Sequence, residues 1–144
     1  MTKSITIPQL VPRKVIENEK GNILHGLRSD DPEFSSFGEA YLSKINGDAV
    51  KGWKKHLSAT LNLFVVNGEV RFVALSESES GGVIKCFDMI LHEANHGLLI
   101  VPPGVWLAFG SENHESASIV NISTETHDPL ESLNVTFSTY GHFW

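Results

Sequence analysis

The chain has 144 residues and weighs 15.9 kDa, the size of one compact domain and enough to bury a core without disulfide or metal staples. Hydrophobic residues make up 41% and charged residues 19%, which excludes disordered, collagenous and coiled-coil chains. Eleven Lys+Arg against seventeen Asp+Glu give a formal net charge of -6, so the basic surface that nucleic acid or an anionic membrane requires is missing. Cys86 is alone, which rules out an intrachain disulfide and a Cys-rich zinc site. Met1 to Leu10 lacks the apolar run of a signal peptide, and no stretch approaches the length of a membrane span. The expectation is a soluble, cytoplasmic single domain over residues 1–144, in which the sequons Asn121-Ile-Ser and Asn134-Val-Thr carry no weight.

Taken in chain order, the pattern is all-β. Met1 to Asn18 has no clean apolar period and is broken by Pro8 and Pro12; it reads as an arm or edge strand, of a kind that can be lent to a partner subunit. Short apolar or alternating runs, each closed by Gly, Pro, Asn or Asp, then predict strands near 22–27, 37–45, 49–56, 62–66, 70–75, 83–91, 98–101, 105–110, 118–123 and 133–138. Asn67-Gly68 between Leu61–Val66 and Glu69–Leu75 predicts a tight hairpin, because Asn-Gly supplies the positive φ of a type I′ turn. Ser76 to Gly82 reads as a polar loop, and Pro102-Pro103-Gly104 as a second hard turn. The aromatic tail Phe137 to Trp144, with Tyr140 and His142, is expected to cover a sheet edge or a partner, since that much apolar surface is not left wet.

Two motifs could carry chemistry. His92-Glu93-Ala94-Asn95-His96 matches H-E-x-x-H, which in a zinc protease places two His on one helical face with Glu beside the metal-bound water. Gly97, an aliphatic run and Pro-Pro-Gly follow at once, so a polar loop between strands is the stronger reading. In Val50-Lys51-Gly52-Trp53-Lys54-Lys55-His56, strand alternation puts Lys54 and His56 on one face, joined by Val50, with Trp53 and Lys55 on the other. A cation beside a histidine favours the neutral imidazole that accepts a proton. The plain alternative is an exposed basic edge that ends in His56. His25, His92, His96 and His114 read as loop or edge residues at the surface.

Lys51-Gly52-Trp53…His56, Asn62…Asn67-Gly68 and Leu99-Ile100-Val101-Pro102-Pro103-Gly104, in that order and spacing, resemble the cupin-fold sugar-nucleotide isomerases, specifically the dTDP-4-dehydrorhamnose 3,5-epimerases and their shorter relatives. Ser123 to Pro129 is similar to the segment in which that family closes its barrel. The resemblance spans about Ile16 to Asp128 and implies a double-stranded β-helix, or jelly-roll barrel, that binds substrate in its open mouth and forms a homodimer. It also implies proton abstraction next to the C4 ketone of a nucleotide-linked 4-keto-6-deoxysugar, dTDP-linked in the family, without a cofactor.

By position, the resemblance makes His56 the base and Lys51 the phosphate or enolate cation, with Lys54 beside it, and puts Glu39 against the substrate. The family's acid Tyr falls near Asn121, with His127 at a second Tyr position. Tyr41, on the same strand parity as Glu39, can supply the acid or merely line the barrel. The family's pocket Lys falls at Leu61 or Asn62, and the Asp that orients the base has no counterpart in sequence. Of the metal ligands common in cupins only His56 remains, because Lys54, Asn62 and Leu107 occupy the other positions; no metal is expected. Because the family's acid and the base's orienting partner are both unmatched, a cupin that binds a sugar nucleotide or small metabolite without turnover is the rival reading, and a zinc protease the remote one.

Overall fold

In this computed structural model, residues 6–144 are described; the first five residues of the expected arm lie outside them. The β-branched and aromatic runs form β1 (Gln9–Pro12), β2 (Val15–Ile16), β3 (Ile23–Leu24), β4 (Glu39–Ile45), β5 (Val50–His56), β6 (Leu61–Asn67), β7 (Val70–Glu77), β8 (Val83–Leu91), β9 (Gly97–Val101), β10 (Val105–Ser111), β11 (Ala117–Ser123) and β12 (Ser132–Asn134). They build two five-stranded antiparallel sheets, ordered β1-β9-β6-β11-β4 and β12-β5-β10-β7-β8, with β2 and β3 as a small separate ribbon. Pairing is nested: β7 with β8, β6 with β9, β5 with β10 and β4 with β11. Successive pairs alternate between the sheets, so one long double strand rolls up into the expected jelly-roll barrel. Among the described residues no helix is long and apolar enough to cross a membrane.

Alternation decides what fills the barrel. On β11, Ala117, Ile119, Asn121 and Ser123 are buried while Ser118, Val120 and Ile122 are partly exposed. Leu63, Val65, Val70, Phe72, Leu99 and Val101 meet in the main core between the sheets, which closes one end of the barrel. Asn67-Gly68 departs from the expected hairpin. β6 and β7 belong to different sheets, so the turn carries the chain across the closed end. Gly68 has φ +83°, and a Cβ there would sit 2.9 Å from that of Ala117. Gly68 takes the positive φ but Asn67 stays extended in β6, so no type I′ hairpin forms; β6 pairs with β9 and β11, and β7 with β8 and β10.

The C-terminal tail folds back on its own chain. Only residues 132–134 of the expected 133–138 strand pair with β5. A one-turn helix, Phe137–Tyr140, and a 3-10 turn, Gly141–Phe143, follow. Phe137, Tyr140, Phe143 and Trp144 pack over Trp53, Val73 and Trp106 on the outer face of the second sheet, forming a second core. Trp53 donates from Nε1 to the carbonyl of Phe137 at 3.0 Å, and the Arg71 guanidinium, held by Asp88, lies 5.0 Å from the centre of the Trp144 ring.

At the other end of the chain, β1 pairs with β9 as an edge strand. Arg13 then ties down the following loop through Gly26 O at 2.9 Å and Glu33 at 3.0 Å. His96, expected at the surface, is buried; its Nε2 meets the carbonyl of His25 at 2.5 Å and its ring abuts Phe64. The H-E-x-x-H segment is a single 3-10 turn, Glu93–Asn95, with His92 Nδ1 accepting from Ala94 N–H. One turn cannot place His92 and His96 on a common helical face, so the zinc-protease reading falls. Among the described residues no cluster of His, Cys, Asp and Glu suited to a metal ion occurs.

Candidate active site

Strand β5 carries the basic motif, and a bulge sets which way each residue faces. Leu107 pairs with Lys54 and Phe109 with Lys51, so Gly52 and Trp53 together oppose the single residue Ala108. A two-for-one bulge resets side-chain alternation. Lys51, Lys54 and His56 therefore share the inner face, while Trp53, fully buried, anchors the outer core. Strict alternation put Val50 rather than Lys51 with Lys54 and His56; Val50 instead packs against the outer core. The bulge needs glycine, because a Cβ at Gly52 would come within 2.5 Å of that of Ala108.

The inner face of β5 looks across a cavity of about 370 Å³ toward β4 and β11. Lys51, Lys54 and His56 form one wall, and Tyr41 and Asn121 belong to the other; Leu63, Leu107 and Phe109 supply apolar surface between them. An adjoining space of about 260 Å³ shares Tyr41, Lys54 and His56 and adds Glu39, His127 and Glu131. All the candidate residues named from the sequence thus gather at one mouth, except Asn62. Its neighbours Leu61 and Leu63 face the cavity, so alternation turns Asn62 to the opposite face of β6, where its Nδ2 donates to Ile122 O at 2.9 Å. Asn62 is accordingly not a cavity residue.

The missing partner of His56 lies 75 residues away. Ser132 pairs with His56 in the β12–β5 ladder, and this brings the preceding Glu131 against the imidazole, with Oε1 2.6 Å from Nδ1. Oε2 accepts the backbone N–H groups of Leu57, Ser58 and Ala59 at 2.9–3.0 Å, so the carboxylate also clamps the turn that follows β5. Burial alone would push this carboxyl up. The N–H of Ala59, the His56 ring and the N–H of Ser58 outweigh it and bring its pKa to about 2. Glu131 is therefore an anion at neutral pH, holding Nδ1 as the protonated nitrogen and leaving Nε2 for the cavity.

The remaining polar groups are ordered as follows. Lys51 Nζ donates to Ser43 Oγ at 2.8 Å, bridging the two sheets at the mouth. Lys55 turns outward, pairing with Glu77 at 2.5 Å over the ring of Trp106. Asn121 Nδ2 donates to the Tyr41 hydroxyl at 2.8 Å. Asn134, which sequence reasoning passed over, joins the cavity from β12. Neither Glu131 nor Asn134 has a local signal in the sequence, because only the pairing of a three-residue strand brings them in. The set amounts to a histidine with a fixed tautomer, two ammonium groups beside it and a phenol opposite. Such a set can remove a proton from carbon, stabilise the oxyanion that results and return a proton.

No protein-family model matches the chain, and no curated relative does. Solved structures do. A sugar 3,4-ketoisomerase from Thermoanaerobacterium thermosaccharolyticum, in complex with TDP, has a TM-score of 0.71 at 16% identity, the match covering 97% of this chain and 96% of that one. A dTDP-4-dehydrorhamnose 3,5-epimerase from Sulfolobus tokodaii has a TM-score of 0.75 at 22% identity, covering 91% and 78%. Both likenesses show the fold. A dTDP sugar isomerase from Desulfovibrio desulfuricans G20 goes further, with a TM-score of 0.82 and 32% identity over 90% of this chain and 83% of that one. With that identity across nearly the whole barrel, the chain belongs to the dTDP-sugar isomerase and dTDP-4-dehydrorhamnose 3,5-epimerase family of enzymes.

Proposed function

We propose that the protein epimerises or isomerises a nucleotide-linked 4-keto-6-deoxysugar, dTDP-linked in the first instance, by moving a proton at a carbon next to the C4 ketone. The observation that carries this reading is His56 at a cavity wall with Glu131 against its Nδ1. His56 Nε2 takes the proton on carbon, and the C–H electron pair passes into the ring as the C4 oxygen becomes an enolate. Lys54, on the same face of β5, is the cation beside that oxygen, and Lys51 at the mouth meets the diphosphate. Tyr41, on the opposite wall, returns a proton from the other face of the sugar; His127, exposed at the rim of the adjoining space, is less well placed for this. Glu39 is a substrate contact in that adjoining space. The ketone acidifies its neighbouring C–H, so this chemistry asks for no cofactor or metal. The non-catalytic reading rested on an unmatched acid and a base without an orienting partner; Glu131 against His56 answers the second and favours turnover.

Homodimerisation is part of the same proposal. The outer face of the first sheet carries the apolar rows Leu42–Val120–Phe64 and Ala40–Ile122, in cross-strand register. Leu42 is 49% exposed there, and a second copy is the occupant we infer. A cytoplasmic setting, where lone thiols such as Cys86 stay reduced, fits the composition. The test is deuterium wash-in from D2O into a panel of 4-keto-6-deoxy nucleotide sugars, with His56→Ala as control. Exchange that the variant loses supports the enzyme; tight binding without exchange in either protein refutes it.

A further inference from the structure

Asn121 is only 2% exposed, yet its two amide atoms have different fates. Nδ2 donates to the Tyr41 hydroxyl at 2.8 Å, while Oδ1 is buried with no hydrogen-bond partner. Tyr41 is the direct cross-strand neighbour of Asn121 in the β11–β4 ladder, and Tyr41 itself is 47% exposed. A phenol has one proton and can accept into its lone pairs. With an amide N–H donating into its oxygen, the Tyr41 O–H cannot turn toward Asn121 and is left pointing to the cavity. The same N–H stabilises the phenolate that appears when that proton leaves.

We propose that Asn121 is a positioning residue: its N–H fixes Tyr41 as a proton donor toward the cavity. This inference rests on the reading of the cavity as a keto-sugar site. The proton balance is complete. His56 takes H+ from carbon to give imidazolium and enolate, and Tyr41 gives its phenolic H+ to that carbon from the other side. Imidazolium and phenolate are then reset by exchange with water at the open mouth. Of the two groups that move protons, Glu131 touches His56 and Asn121 touches Tyr41, so proton removal and proton return are under separate control.

That separation defines the experiment. In D2O, solvent exchange reports the base, and the inverted product reports the acid. Tyr41→Phe and Asn121→Leu are each expected to retain exchange within about threefold of wild type while losing inversion by at least about tenfold. The double variant should be no worse than Tyr41→Phe alone, because Asn121 acts through the phenol. A loss shared equally by exchange and inversion, or multiplicative effects in the double variant, overturns the proposal. Asn121→Ser, smaller and too short to bridge, repeats the test should the leucine disturb the barrel. A wild-type protein that binds the keto-sugar nucleotide but exchanges no deuterium sinks the parent reading and this proposal with it. An enzyme that exchanges normally while the variant inverts like wild type sinks only the present proposal.

Discussion

The substitution Glu131→Gln separates the clamp on the backbone from the charge on the histidine. A glutamine carbonyl can take over the three N–H groups of Leu57, Ser58 and Ala59, now 2.9–3.0 Å from Oε2, so the turn after β5 should survive. Its NH2 would then face His56 Nδ1 in place of the carboxylate oxygen at 2.6 Å. An amide N–H can donate only to an unprotonated Nδ1, which forces the ring proton onto Nε2 and removes the lone pair from the cavity. The imidazolium formed during turnover also loses its counter-ion. Two unit charges about 4 Å apart near a protein surface attract by about 4 kcal/mol, an upper estimate of that loss. Converted at about 1.4 kcal/mol per tenfold, it corresponds to a fall in kcat/KM of roughly 10²–10³. The assays are deuterium exchange into the keto-sugar for rate and 15N chemical shifts of His56 for the tautomer. Retention of the rate within about threefold, or an unchanged Nδ1–H tautomer, would refute the assignment of Glu131 as the orienting acid.

Acid should unfold the protein partly through two carboxyls whose pKa is about 2 in the fold: Glu131, against an ordinary 4.5, and Asp88, held down chiefly by Arg71 with help from Lys85, against 3.8. Both are depressed, so their stabilisation is present above the unfolded values and is lost as pH falls from about 5 toward 2; urea melts should show stability falling across that window, and less steeply in Glu131→Gln. Gly52→Ala drives a methyl into Ala108 at the bulge and is expected to cost about 1–3 kcal/mol, with Ala108→Gly in the same chain restoring much of it in thermal melts. Trp144→Ala removes a ring that packs on Phe137 and lies under Arg71, and should lower the unfolding free energy by about 1–3 kcal/mol in urea titrations. Val120→Glu puts a charge in the middle of the outer apolar rows and should convert the proposed dimer to monomer by light scattering, with the exchange activity of the isolated subunit as a second readout; a wild-type protein that is already monomeric refutes the dimer.

Much of the barrel was legible in the residues because strand propensity and turn chemistry are local. Alternating runs and Gly, Pro and Asn stops located β4 to β11 closely, and Gly97 followed by an aliphatic run argued against a long helix at H-E-x-x-H. Pairing is not local. Asn67-Gly68 has the chemistry of a hairpin turn, yet β6 and β7 are claimed by β9 and β10, whose apolar faces complete the core between the sheets. The outward or inward sense of Lys51 and Val50 hung on a bulge that the run of residues does not reveal, since it depends on the single Ala108 opposite.

The candidate site divides along the same line. His56, Lys54 and Tyr41 could be named as candidates before any fold was known, because side-chain type and strand parity are local. What only the tertiary structure decided was company: Glu131 reaches His56 through a three-residue strand at a sheet edge, Asn121 reaches Tyr41 across the β11–β4 ladder, and Asn62 turns away. The sequence carries propensities that act over a few residues. A histidine and its carboxylate 75 positions apart meet only after the two sheets have closed on a common core.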